Sequence, residues 1–164
     1  MEKITIKPHH LLDVYKLHGA GITHFVPDEA YGHDFFRIGN LILNHRVGCI
    51  VFTVDADLIC VPCRFCKGGI CADTFLHNGK ETIKESYNKS LDKAILKILG
   101  LRENTEYDYK ETLRLLEIHV SEQFIAQVWN KNSRPDNQMR YHNTNAGIHN
   151  LRRPGAPQNH QHRS

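Results

Sequence analysis

Cys60-Val61-Pro62-Cys63-Arg64-Phe65-Cys66-Lys67-Gly68-Gly69-Ile70-Cys71 places four of the chain's five cysteines within twelve residues, at C-x2-C-x2-C-x4-C spacing. Two disulfides inside so short a loop would need two independent Cβ pairs about 3.5–4.5 Å apart, which the spacing opposes. One metal centre can take all four thiolates. The first three cysteines recur at every third residue, so the chain must curl about a common point to gather their sulfurs. Gly68 and Gly69 let the backbone turn through conformations that a Cβ would block and bring Cys71 back. The loop therefore predicts a metal site with Cys60, Cys63, Cys66 and Cys71 as its ligands.

The spacing is similar to the C-x2-C-x2-C-x3-C run of bacterial ferredoxins, with one more residue before the last cysteine. Cys71 is not followed by proline, and a second cysteine set is missing. An iron–sulfur cluster, [4Fe–4S] before other types, is the leading reading. A structural zinc site with four thiolates is the alternative, although zinc more commonly takes two C-x2-C pairs on knuckles about ten or more residues apart. A thiol–disulfide pair at Cys60/Cys63, or reduced cysteines without metal, completes the set. Spacing alone does not name the metal.

Outward from the loop, the elements alternate in type. Ile4-Thr5-Ile6 between Lys3 and Lys7 reads as a short strand, and Pro8 opens a helix from about His9 to Leu17. Residues 22–34 read as a loop anchored by Phe25 and Tyr31. A core-facing helix follows from Phe35, with Ile38, Leu41 and Ile42 on one face. Gly48 to Val54 is the clearest strand, and Ile4-Thr5-Ile6 is its natural partner. Cys49 on that strand reads as a small buried hydrophobe, and Asp55 and Asp57 as turn formers. Residues 74–79 read as a connection and Lys80 to Leu99 as one amphipathic helix stopped by Gly100. Asp108 caps a helix carrying Leu113, Leu116 and Val120, and a last amphipathic segment runs from Glu122 to Asn130. The expected class is α+β, a mainly helical single domain with a small two-stranded sheet.

His9 and His10 invite a catalytic or metal reading. Adjacent helical residues diverge by about 100°, so one metal can hardly take both. Local backbone hydrogen bonds are the default for each. The alternative places one of them beside the cysteine loop, donating a hydrogen bond to the site rather than ligating it.

The chain has 164 residues, 40 % of them hydrophobic and 24 % charged, which suits one globular domain. No apolar run approaches the roughly 20 residues of a membrane span, and the amino terminus has no signal-peptide core, so a cytoplasmic protein is expected. Clustered cysteines there are ligands more often than disulfides. The net charge of +3 is unevenly spread. Residues 131–164 carry six Lys and Arg against one Asp, leaving residues 1–130 at −2. Residues 1–130 are thus expected to form the globular metal-binding domain. Residues 131–164, poor in large apolar side chains, are expected to be a disordered basic tail that is dispensable for folding. Arg152-Arg153 and His160-Gln161-His162 are too sparse a run to point to nucleic acid.

Two further stretches resemble a known family. Pro8-His9-His10-Leu11-Leu12 is similar to the opening of domain-of-unknown-function family 1284, small prokaryotic proteins often labelled iron–sulfur binding. Asp57-Leu58-Ile59-Cys60-Val61-Pro62-Cys63 resembles that family's Asp-x-Ile-Cys-x-x-Cys element, and Asp92 to Tyr109 its following helix and turn. The resemblance spans residues 8–129 in scattered pieces. It implies metal-ligand positions at Cys60, Cys63 and Cys71. Cys66 is extra, Asp13 stands where relatives commonly have a cysteine, and the stretch Phe124 to Trp129 keeps only the tryptophan. Either Cys66 replaces a thiolate lost from the carboxy-terminal end, or the site is decaying. No phosphate-binding loop, nucleophile elbow or other catalytic constellation stands out. The expected function is iron–sulfur binding in electron transfer or redox sensing with an unidentified partner; the alternative is a zinc-stapled interaction module.

Overall fold

The structure is a computed structural model that describes residues 1–153. Strand β1 (Glu2–Ile6) leads through Lys7 into helix α1 (Pro8–Gly19), with Pro8 at the first helical turn, where its missing N–H costs nothing. A loop across residues 22–34 precedes α2 (Phe35–Leu43), and β2 (Val47–Phe52) follows. The cysteine stretch contains β3 (Cys66–Lys67) and β4 (Ile70–Cys71). After it come β5 (Thr74–His77), β6 (Lys80–Ile83) and α3 (Lys84–Leu99). β7 (Glu106–Asp108), α4 (Tyr109–His119), α5 (Glu122–Val128) and α6 (Arg134–Arg152) complete the described residues.

The expected strand pair forms. β1 runs parallel to β2, with Ile4 opposite Ile50 and Ile6 opposite Phe52. A parallel pair needs a long crossover, and α1, the 22–34 loop and α2 supply it. The sheet has three strands rather than two, because β7 adds antiparallel to β2 on its far side. Ile4, Ile6, Ile50 and Phe52 are buried together with Val14 and Tyr15 of α1, Ile38 and Ile42 of α2, Ile95 of α3 and Leu116 of α4. These residues make one core, and the fold is the expected mainly helical α+β domain. Gly100 ends α3 in the left-handed conformation (φ 66°), and the Asp108 carboxylate accepts from Glu111 N–H at 2.9 Å, as the sequence predicts. No helix among the described residues is long and apolar enough to cross a membrane.

Two further expectations need correction. The helix expected from Lys80 starts at Lys84, because residues 80–83 pair with 74–77 as a hairpin. Asn78 and Gly79 both have positive φ (51° and 76°), the turn for which Asn-Gly is the strongest short-range signal.

The second correction concerns the tail. Residues 134–152 are a 19-residue helix packed on α1, so the globular part does not end at Asn130. Its start is specified locally. Ser133 Oγ accepts from Asp136 N–H at 3.2 Å and donates to its carboxylate at 2.6 Å, with Pro135 in the first turn. Its contact with α1 depends little on large side chains. A Cβ on Gly147 would overlap the Tyr15 carbonyl oxygen, and one on Gly19 would overlap that of Asn143. The two helices therefore pack with their backbones nearly touching, a geometry small residues permit and bulky ones forbid. Ile148 and Leu151 are buried at the far end, and Thr144 is fully buried in the middle. Arg140 closes the near end, stacking on Trp129 at 4.1 Å and donating to Asp13 at 2.9 Å. A scan for apolar stripes misses such an interface. His160 and His162 lie outside the described residues.

Gly147→Ala should therefore destabilise the fold although alanine is the better helix former. Overpacking of this kind costs about 1–3 kcal/mol, and at this chain length each kcal/mol lowers Tm by roughly 2–4 °C. Thermal unfolding of the variant measures it, and an unchanged or raised Tm would show that the helices do not meet at Gly147.

Candidate metal centre

Asp57 and Asp92 have negligible side-chain exposure, and each meets one of the two histidines at the start of α1. His9 donates both its backbone N–H (2.8 Å) and its ring Nδ1–H (2.9 Å) to the Asp92 carboxylate of α3. His10 donates Nδ1–H to Asp57 Oδ2 at 2.7 Å. Both carboxylates accept from Nδ1, which leaves Nε2 as the second ring nitrogen of each histidine. The rings lie 4.3 Å apart between centroids. Burial works against a charged His9, but the Asp92 charge and hydrogen bond outweigh it and raise its pKa above the ordinary 6.5.

Asp57 is the more heavily used of the two. Its Oδ2 also accepts from Lys7 N–H at 2.7 Å, and its Oδ1 accepts from Ile59 N–H at 3.1 Å and Cys60 N–H at 3.0 Å. One carboxylate thus ties the end of β1, the start of α1 and the entry to the cysteine loop. Burial opposes its ionisation, yet the His10 interaction and these N–H donors hold its pKa far below the usual carboxylate range. The Cys60 thiol responds in the opposite direction: burial, then the Asp57 charge, push it up to about 12.

From Cys60 the loop makes two successive tight turns, Cys63 N–H to Cys60 O at 2.9 Å and Cys66 N–H to Cys63 O at 3.0 Å. These are the curl that the x2 spacing predicts. Gly68 and Gly69, both at positive φ (57° and 79°), then fold β4 back on β3, so that Cys71 lies directly opposite Cys66. Directly opposed residues project from the same face of a hairpin. The far end of the loop is fixed by Glu85 of α3, which accepts from Cys71 N–H at 2.9 Å. Its outer side leans on the 22–34 loop through Arg64 N–H to Tyr31 O and the Tyr31–Phe65 ring contact.

These elements line an open cavity of about 530 Å³. Cys60, Cys63 and Cys71 line it with His9 and His10, whereas Cys66 is outside its lining. Among the described residues, one trio of metal-ligating atoms lies within 4.8 Å of one another, from His10, Asp57 and Cys60; no three of the loop thiols do. In that trio Asp57 already accepts four hydrogen bonds, which makes it an orienting group rather than a ready ligand. Cys49 is half-buried on β2, its Sγ 3.8 Å from Glu106, and takes no part in the cavity.

The sequence located the loop and the histidine pair, and the structure brings them together: His10 is the histidine beside Cys60. Asp57 reads from sequence as a turn former, which it is, and its ties to His10 and Lys7 are long-range and have no local signature. Asp92 does carry a signal. It is a carboxylate flanked by Leu91 and Ile95 on the buried side of α3, where an unpaired charge would be very costly. No family model, no curated protein and no solved structure matches this chain.

The His9–Asp92 pair should give stability a definite pH dependence. Because the folded-state pKa of His9 is raised, its contribution is full below the ordinary 6.5 and is lost as pH rises through the folded value. A His9→Asn variant keeps an N–H donor at the same position but cannot titrate. The native chain's stability advantage over it should be constant in acid and shrink as pH climbs above 6.5, read by denaturant unfolding at stepped pH. An advantage that grows with pH would contradict the pairing.

Proposed function

We propose that this chain is a small iron–sulfur protein, a one-electron carrier or redox sensor, with Cys60, Cys63, Cys66 and Cys71 holding a [4Fe–4S] cluster. The observation that carries the reading is the shape of the loop. Two turns and a hairpin set three of its thiols on one cavity wall and the fourth directly opposite Cys71. The short stretches that resemble family 1284 point the same way.

The C-x2-C-x2-C spacing favours a cluster over a single zinc ion. Tetrahedral zinc with Zn–S bonds of about 2.3 Å holds its sulfurs about 3.8 Å apart. No three loop thiols lie within 4.8 Å of one another among the described residues. A four-iron cluster bonds each thiolate to a different iron and so accepts a wider cage. Such a cluster would supply reversible one-electron transfer. The chain's own part is to curl the loop, to fix Cys60 through Asp57 and Cys71 through Glu85, and to hold His10 beside the first thiol. The Cys60 thiol keeps its proton until a metal displaces it, so loading is coupled to proton release.

Anaerobic purification, followed by reconstitution with iron and sulfide, tests the proposal. The expected product absorbs broadly near roughly 400 nm and carries about four irons per chain. Cys63→Ser and Cys66→Ser should abolish the colour, and Cys49→Ser should retain it. A colourless protein with one tightly held zinc would instead favour the zinc-stapled module. Metal that survived both Cys63→Ser and Cys66→Ser would remove the loop from the ligand set.

A further inference from the structure

Lys7 is only 3 % exposed, yet among the described residues its ammonium makes no hydrogen bond and no ion pair. It lies between β1 and α1 and lines the cavity beside Cys60. Every carboxylate near it is already engaged. Asp57 takes four donors, and Asp92 takes His9. Glu85 holds Cys71 N–H and the Lys89 ammonium. An ammonium that faces a cavity with no protein partner is open to an anion.

A second unpartnered group belongs to the same cavity: His33 Nδ1 is buried without a hydrogen bond, its ring stacked on Tyr31. Much of the remaining wall is aromatic, with Phe25, Phe35, Phe75 and Tyr87. The volume of about 530 Å³ is that of a small-molecule site, in which an apolar wall supplies area and a few polar groups fix orientation. The aromatic wall also bears on the class of anion. Phosphate, hydrated on every side, has no surface to place against Phe25, Phe35, Phe75 and Tyr87, whereas a carboxylate on a hydrocarbon body can use both the ammonium and the aromatic wall.

We propose that the cavity binds a small apolar monocarboxylate, with its carboxylate on the Lys7 ammonium and its hydrocarbon body against Phe25, Phe35 and Tyr87. The site shares its cavity with the thiols of the proposed cluster and does not require the cluster. The cluster's own thiolates are the competing counter-ion for Lys7, and the experiment separates the two.

The full chain, once metal-free and once loaded with iron and sulfide, is titrated calorimetrically with benzoate, its neutral counterpart benzyl alcohol, and phosphate. Benzoate should saturate one site on the metal-free chain and bind at least roughly tenfold more tightly than either comparison compound. Lys7→Met should erase that preference, and Lys7→Arg should keep it. Amide shifts in the native chain on adding benzoate should centre on Phe25, Phe35 and Tyr87, and these decide the matter even if Lys7→Met does not fold. Absence of saturable benzoate binding up to about 10 mM, a range that covers weak ligands, would overturn the proposal. So would shifts confined to another face, or full binding by Lys7→Met. A Lys7→Met chain that binds benzoate normally but loses iron would make Lys7 the counter-ion of the cluster. Failure of the native chain to load iron, with benzoate still bound, would count against the cluster and leave the carboxylate site standing.

Discussion

One buried carboxylate holds the candidate site together. Asp57 accepts hydrogen bonds from Lys7, His10, Ile59 and Cys60 at 2.7–3.1 Å, so four donors from three segments converge on two oxygens. Charge-assisted hydrogen bonds of this kind are about twice as strong as neutral ones, and they are shortest and strongest where water is excluded. A carboxylate can be buried only when so provided for. The position of Cys60 relative to α1 is thereby set by the same group that makes the burial of Asp57 tolerable.

The histidine pair extends this arrangement in two directions. His10 faces the loop through Asp57, and His9 faces α3 through Asp92, so the first turn of α1 joins loop and helix. Glu85, one helical stretch earlier on α3, returns to hold Cys71. Both ends of the cysteine loop are therefore referred to the α1–α3 pair, and the loop's middle is left to its own turns. Beneath α1, α6 supports the same helix from behind through backbone contact at Gly19 and Gly147. The tail that composition marks as expendable is a wall of the scaffold on which the site is built.

Much of this was legible in the sequence where the signal is local. The x2 cysteine spacing encodes the two turns, Gly68-Gly69 the hairpin, Gly100 and Asp108 their caps, and the alternation of Ile4-Thr5-Ile6 its strand. Asn78-Gly79 was equally local and marks a hairpin inside what periodicity alone reads as helix. The rest was not legible for a physical reason. Asp57 satisfies its own Asx turn with Oδ1 and reaches Lys7 and His10 with Oδ2, and only the first of these is a neighbour in sequence. The α1–α6 interface rests on two glycines and a buried threonine, residues that hydropathy counts as nothing.

The coupling between His10 and Asp57 is the most direct measure of this account. A double-mutant cycle with His10→Ala, Asp57→Ala and the pair, followed by denaturant unfolding, isolates it from the separate costs of each truncation. The account predicts a coupling of about 1.5–3 kcal/mol, as befits a buried, charge-assisted bond at the junction of three segments. A coupling within about 0.3 kcal/mol of zero would mean that the two residues do not act on one another, and that something else ties the cysteine loop to the first turn of α1.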